Sequence, residues 1–103
     1  LMYDNGQRVP QNYAEAMSWY RRAAETGHAK AQNDLGFLYS NGKGVPQDYI
    51  TAHMWANLAA SNSNDLSTGL RAIIASEMSP AEIERAQARA AQCLASNYQD
   101  CGG

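Results

Sequence analysis

The sequence predicts an all-α fold, an α-solenoid of antiparallel helix pairs with about five helices and no strands, and three observations carry that prediction. Apolar residues recur at helical spacing instead of alternating. A block of the chain repeats itself 36 residues further on. Eighteen of the 103 residues are alanine, the strongest helix former and a side chain small enough to let helices approach closely. A chain of this length has room for one domain with a modest core.

The repeat is the most informative of the three, because self-similarity at a fixed period marks stacked architectures. Placing Tyr3–Tyr13 above Tyr39–Tyr49 aligns seven identical residues, among them Gly6 with Gly42, Val9 with Val45 and Tyr13 with Tyr49. The register continues through Ala16, Trp19, Ala23 and Ala24, which fall on Ala52, Trp55, Ala59 and Ala60, so eleven of the 28 positions from Leu1 to His28 are identical. The reading divides the chain into an incomplete repeat over 1–28, a complete repeat over 29–64 and a divergent closing helix pair with a tail over 65–103. Because Leu1 falls mid-pattern, an upstream stretch holding the first unit's leading helix is expected. Loss of that helix is expected to leave Tyr13, Met17 and Tyr20 partly uncovered and open to self-association.

Taken in order, helices are predicted to start near Asn12, Ala29, Asp48, Asp65 and Pro80. Leu1–Tyr3 should be at most a fraying helix end. Ala31, Leu35, Leu38 and Tyr39 share one face of the second helix, and Tyr49, Ala52, Ala56, Ala59 and Ala60 share one face of the third. Between them, Asn41-Gly42-Lys43-Gly44-Val45-Pro46 is dense in turn formers: Gly42 and Gly44 suit positive φ, and Pro46 sets φ ahead of the next helix. The fourth helix shows its spacing in Leu70, Ile73 and Ile74. Ser79-Pro80-Ala81-Glu82 is a capping box that opens the fifth, whose predicted apolar stripe is Ile83, Ala86, Ala90 and Leu94. Its other faces are mostly polar, as suits a unit closing a stack against water.

Leu35-Gly36-Phe37-Leu38-Tyr39, followed by Gly42-Lys43-Gly44-Val45 and then Asp48, Ala52, Trp55, Ala59 and Ala60, resembles the Sel1-like repeat family, a relative of the tetratricopeptide repeats. The two matching units span Leu1–Asn64. The resemblance implies an adaptor or scaffold in protein complexes, with many bacterial members exported or associated with the cell envelope, and identifies no particular partner. Two other classes stand beside it: an envelope enzyme acting on cell-wall or β-lactam substrates, which the resemblance suggests but for which no nucleophile and base are legible, and a structural spacer or self-assembly module.

Chemistry-bearing patterns are few, and neither an enzyme nor a cofactor is expected. The formal net charge of -2 comes from acidic and basic residues scattered singly, which offers no nucleic-acid footprint. No apolar run is long enough to span a membrane. His28 and His53 have no Cys, Asp or Glu at metal-ligand spacing. Gly42 and Gly44 lack the preceding strand of a dinucleotide site. Trp19 and Trp55 recur at one repeat position, which points to packing.

Cys93 and Cys101 are the only cysteines. They flank a helix end, with Asn97 suited to the left-handed conformation that turns the tail back. A bridge between them, with Tyr98 held over the Leu94 stripe, is the favoured reading and would place folding in the periplasm or outside the cell. Two unrelated thiols in a reducing cytosol is the other. For binding, the second helix presents Lys30, Asn33, Phe37 and Ser40 opposite its core face as a candidate surface for a protein or peptide, with Phe37 as an anchor or as a packing residue against a preceding helix.

Overall fold

The computed structural model describes residues 10–43, 45–62 and 65–101, with side chains described from Glu15 in the first helix and from Ser67 in the fourth. The described residues form five helices: α1 (Pro10–Ala24), α2 (Ala29–Asn41), α3 (Tyr49–Ser61), α4 (Asp65–Ala75) and α5 (Pro80–Ala95). No strand occurs among the described residues. Expectations at Leu1–Tyr3, Gly6 and Gly44, and for the Tyr13 side chain, lie outside them.

Local chemistry accounts for the boundaries. Helix α1 starts at Pro10, whereas its repeat counterpart Pro46 lies in the loop ahead of α3. The difference is tolerated because proline at a first helical position has no N–H to lose. His28 caps α2, its Nδ1 accepting from the Ala31 N–H at 3.4 Å. Gly42 ends the helix in the left-handed region at φ 69°, its N–H donating to the Leu38 carbonyl. Asp48 caps α3, one oxygen accepting from the Thr51 N–H at 3.1 Å and the other from the Thr51 hydroxyl at 2.8 Å. At α5 the capping box is complete: Ser79 Oγ accepts from the Glu82 N–H at 3.2 Å, and Glu82 Oε1 from the Ser79 N–H at 2.8 Å.

Helix α3 is the centre of the assembly, packed by α2, α4 and α5, while α1 packs chiefly against α2. Every residue from Thr51 to Ala56 is buried, together with Leu58 and Ala59. The sequence reading gave α3 one apolar face, but a helix with neighbours on three sides is buried nearly all round. Gly36 lets α2 approach: a Cβ there would lie 3.1 Å from the Ala52 carbonyl oxygen and 3.3 Å from the Ala56 nitrogen. Leu35, Leu38, Met54, Trp55 and Ile74 fill the core around this contact.

Three expectations about packing are corrected. Trp19 does not pack as Trp55 does: Trp55 is fully buried, but Trp19 is 63% exposed, with the Arg22 guanidinium 5.2 Å from its ring centroid. The covering that α4 and α5 provide to α3 has no described counterpart beside α1. Met17, expected to be partly uncovered, is buried in the same core cluster as Ala24, Ala31 and Leu35, whereas Tyr20, packed against that cluster, is half-buried as expected. On α5 the buried stripe is Ala86, Ala90 and Cys93, with Leu94 52% exposed. One residue beyond Cys93 is about 100° further round the helix, enough to carry Leu94 off the stripe.

Candidate functional site

Helices α2 and α4 run side by side and leave an open groove of about 470 Å³ between them. Phe37, Ser40 and Asn41 come from α2, Tyr49 from the start of α3, Leu70, Ile73 and Ile74 from α4, and Glu77 from the turn beyond it. Ile74 is buried and Leu70 and Tyr49 are half-buried, whereas Phe37 is 41% and Ile73 68% exposed. The polar side is held by its own bonds. Ser40 Oγ donates to the Phe37 carbonyl at 2.8 Å, and Asn41 Nδ2 donates to the same carbonyl at 2.8 Å. Gln47 Nε2 donates to the Ser40 carbonyl at 2.8 Å and to the Tyr49 hydroxyl oxygen at 3.2 Å.

Of the four candidate surface residues, Phe37 and Ser40 line this groove and the other two do not. Lys30 lies towards α1, paired with Asp34 at 3.5 Å, in a separate concavity with Tyr20, His28 and Ala31. Asn33 is half-buried against α4, its Oδ1 accepting from the Ser67 hydroxyl at 2.7 Å. What the sequence reading missed is the α4 wall. Its signal was the adjacent pair Ile73-Ile74: neighbours on a helix point about 100° apart, so a single core contact cannot cover both.

At the other end of the stack, Cys93 and Cys101 lie at disulfide-bonding distance, with Cα atoms 4.2 Å apart and both side chains buried. Asn97 and Tyr98 are both left-handed, at φ 56° and 66°, and the Tyr98 N–H donates to the Cys93 carbonyl at 2.8 Å. Two such residues in succession turn the tail away from Leu94, so Tyr98 does not cover it. The ring instead seats beside Gly27, where a Cβ would meet it at 3.5 Å. Asn62 Nδ2 donates to the Tyr98 hydroxyl oxygen at 3.3 Å and to Gln32 Oε1 at 3.0 Å. Gln32 Nε2 in turn donates to the Ala24 carbonyl at 3.0 Å. This polar chain ties α1, α2, the end of α3 and the tail together.

His53 is buried in α3, and among the described residues its Nδ1 has no hydrogen-bond partner; Trp55 Nε1 likewise has none among them. Burial, and to a smaller extent the positive charge of Arg71, hold the His53 pKa below its ordinary value. No three His, Cys, Asp or Glu side chains among the described residues converge as metal ligands. None of the described helices is long and apolar enough to cross a membrane.

Comparison with known families matches the Sel1 repeat twice, over residues 1–28 and 29–64. Sel1 repeats generally mediate protein–protein interactions and are typically non-enzymatic scaffolds. No curated protein matches the chain. The two matched stretches cover more than half of it, and on that footing the chain belongs to the Sel1 repeat family.

Proposed function

We propose that this chain is an adaptor segment that seats a protein partner in the groove between α2 and α4. The observation that carries the reading is the placement of Phe37 and Ile73, two large and substantially exposed apolar side chains, on opposite walls of one groove. Single exposed apolar residues are ordinary on any surface, but two facing each other across a concavity with an apolar floor form an anchor site. In this reading α4 and α5 close the stack, with Glu84, Arg85 and Gln87 outward. A photo-cross-linking amino acid in place of Phe37, with Arg85 as control position, tests it in the cell of origin. A non-self adduct from position 37 and none from 85 is expected; equal labelling from both positions, or none, overturns the reading.

The Cys93–Cys101 pair supports folding in an oxidising compartment, hence a periplasmic or secreted protein, since cytosolic thiol buffers keep cysteines reduced. Intact-mass measurement after alkylation of freshly isolated protein tests this, and two alkylated cysteines would remove the argument. A self-assembly module is the second reading, supported by exposed Trp19 and its stacked Arg22 on α1. Sedimentation of W19A against the parent chain at rising concentration distinguishes it: loss of a dimer in W19A supports it, and an unchanged profile rejects it.

A further inference from the structure

We infer that the α2–α4 groove selects a polypeptide segment in which an apolar side chain is followed closely by a lysine or arginine, the apolar group entering between Phe37 and Ile73 and the cation meeting Glu77. The inference rests on the groove being the partner site and adds the chemistry of the partner.

The donors and acceptors around the groove set the charge of its partner. Among the described residues that line the groove, Glu77 is the one that is formally charged, and it is exposed. The nearest arginine on α4, Arg71, is turned away, its guanidinium donating to Asn57 Oδ1 at 2.6 Å. The polar side chains beside the apolar walls have spent their donors internally. The Ser40 hydroxyl and the Asn41 amide both donate to the Phe37 carbonyl, and Gln47 at the edge donates to the Ser40 carbonyl and the Tyr49 oxygen. What remains for a partner is mainly acceptor capacity: the Glu77 carboxylate, the Asn41 side-chain carbonyl and the second lone pairs of the Ser40 oxygens, the Phe37 carbonyl being filled by its two donors. Among the described side chains lining the groove, the Tyr49 hydroxyl proton is the donor left over. An acidic segment would bring further acceptors to a rim of acceptors and set its charge against Glu77, whereas a lysine or arginine supplies several N–H donors and the opposite charge. The apolar requirement comes from Ile74, Leu70 and Tyr49 beneath the two exposed walls, a surface that rewards removal of an aliphatic or aromatic side chain from water.

Selection of a phage-displayed random-peptide library on the immobilised chain, on E77K and on a double variant F37S/I73S tests the inference. The substituted residues are exposed, and far-ultraviolet dichroism confirms that each variant stays helical. The parent chain is expected to enrich sequences pairing Leu, Ile or Phe with a nearby Lys or Arg, and E77K to shift the enrichment to Asp or Glu. The double variant is expected to lose it. A synthetic peptide of the enriched type should bind E77Q about two- to fivefold more weakly than the parent, the worth of one exposed ion pair. Amide chemical-shift changes should fall on residues 37–41 and 70–77. Enrichment of apolar peptides that map to the groove without a basic preference, or with one unchanged in E77K, overturns this inference and leaves the adaptor reading standing. Peptides that map elsewhere, or no enrichment at all, overturn both.

Discussion

Trp19 and Trp55 occupy the same position of the repeat in helices α1 and α3, yet one is 63% exposed and the other fully buried. Their local sequences share the alanines that make a packing face, so helix propensity and periodicity cannot separate them. The neighbours do: α3 is covered by α2, α4 and α5, while α1 packs chiefly on α2. In a stacked fold, a repeat position specifies a capacity for burial, and adjacent units decide whether it is realised.

The strongest test of that comparison is truncation of the two tryptophans. W55A should cost about 3–5 kcal/mol, since a fully buried ring is lost and a cavity remains. W19A should change stability by no more than about 1 kcal/mol, the worth of an exposed ring and its cation–π contact. Urea denaturation of both variants checks this, and similar losses would show that repeat position outweighs neighbours. Next in size is the tail. Opening the Cys93–Cys101 bridge, by C101S or reductant, should cost about 2–3 kcal/mol for a loop this short. The loss should be accompanied by faster amide exchange at Gln32 and Asn62, because Tyr98 then leaves its seat beside Gly27. Unchanged exchange would separate the bridge from the polar chain that joins the helices.

Two glycines sharpen the same lesson at smaller amplitude. G36A should destabilise by about 1–3 kcal/mol, because its Cβ would meet the backbone of Ala52 and Ala56, which cannot yield without moving α3. G69A, where a Cβ meets nothing within 4 Å, should stabilise α4 by up to about 1 kcal/mol through helix propensity alone. Thermal melts showing the same sign for both would contradict the close approach of α2 to α3. The remaining effect is a pH dependence. His53 has a depressed pKa in the folded state, so below its unfolded value near 6.5 the unfolded chain binds more protons. Its contribution is therefore intact above that pH and declines as pH falls towards the folded pKa, by at most about 1.4 kcal/mol per pH unit. H53F should flatten the melting temperature between pH 7 and 5 relative to the parent.

Much of the local architecture was legible. The helix starts near Ala29 and Asp48, Gly42 at positive φ after α2, and the Ser79–Glu82 box that opens α5 were read from the sequence, because caps and turns are satisfied by residues within four positions of one another; the capping roles of His28 and Asp48 were not read. Cys93 and Cys101 are close for a related reason, being neighbours across one helix end with Asn97 left-handed between them. The groove was half legible: Phe37 and Ser40 were read from α2, but Leu70, Ile73 and Glu77 required the placement of α4 beside it. Asn33 was misread as free surface because its partner, Ser67, is 34 residues away.

By itself, then, the sequence determined the helices, their ends and the family, all of which rest on short-range hydrogen bonding and a fixed repeat period. Only the tertiary structure decided that α3 is buried on nearly every side, that Trp19 faces outward, that Leu94 stays in water and that Tyr98 reaches Gly27 and Asn62. The physical reason is that periodicity gives the angular position of a side chain around its own helix, whereas burial depends on how many other helices surround it, and that is settled by packing between segments distant in the chain.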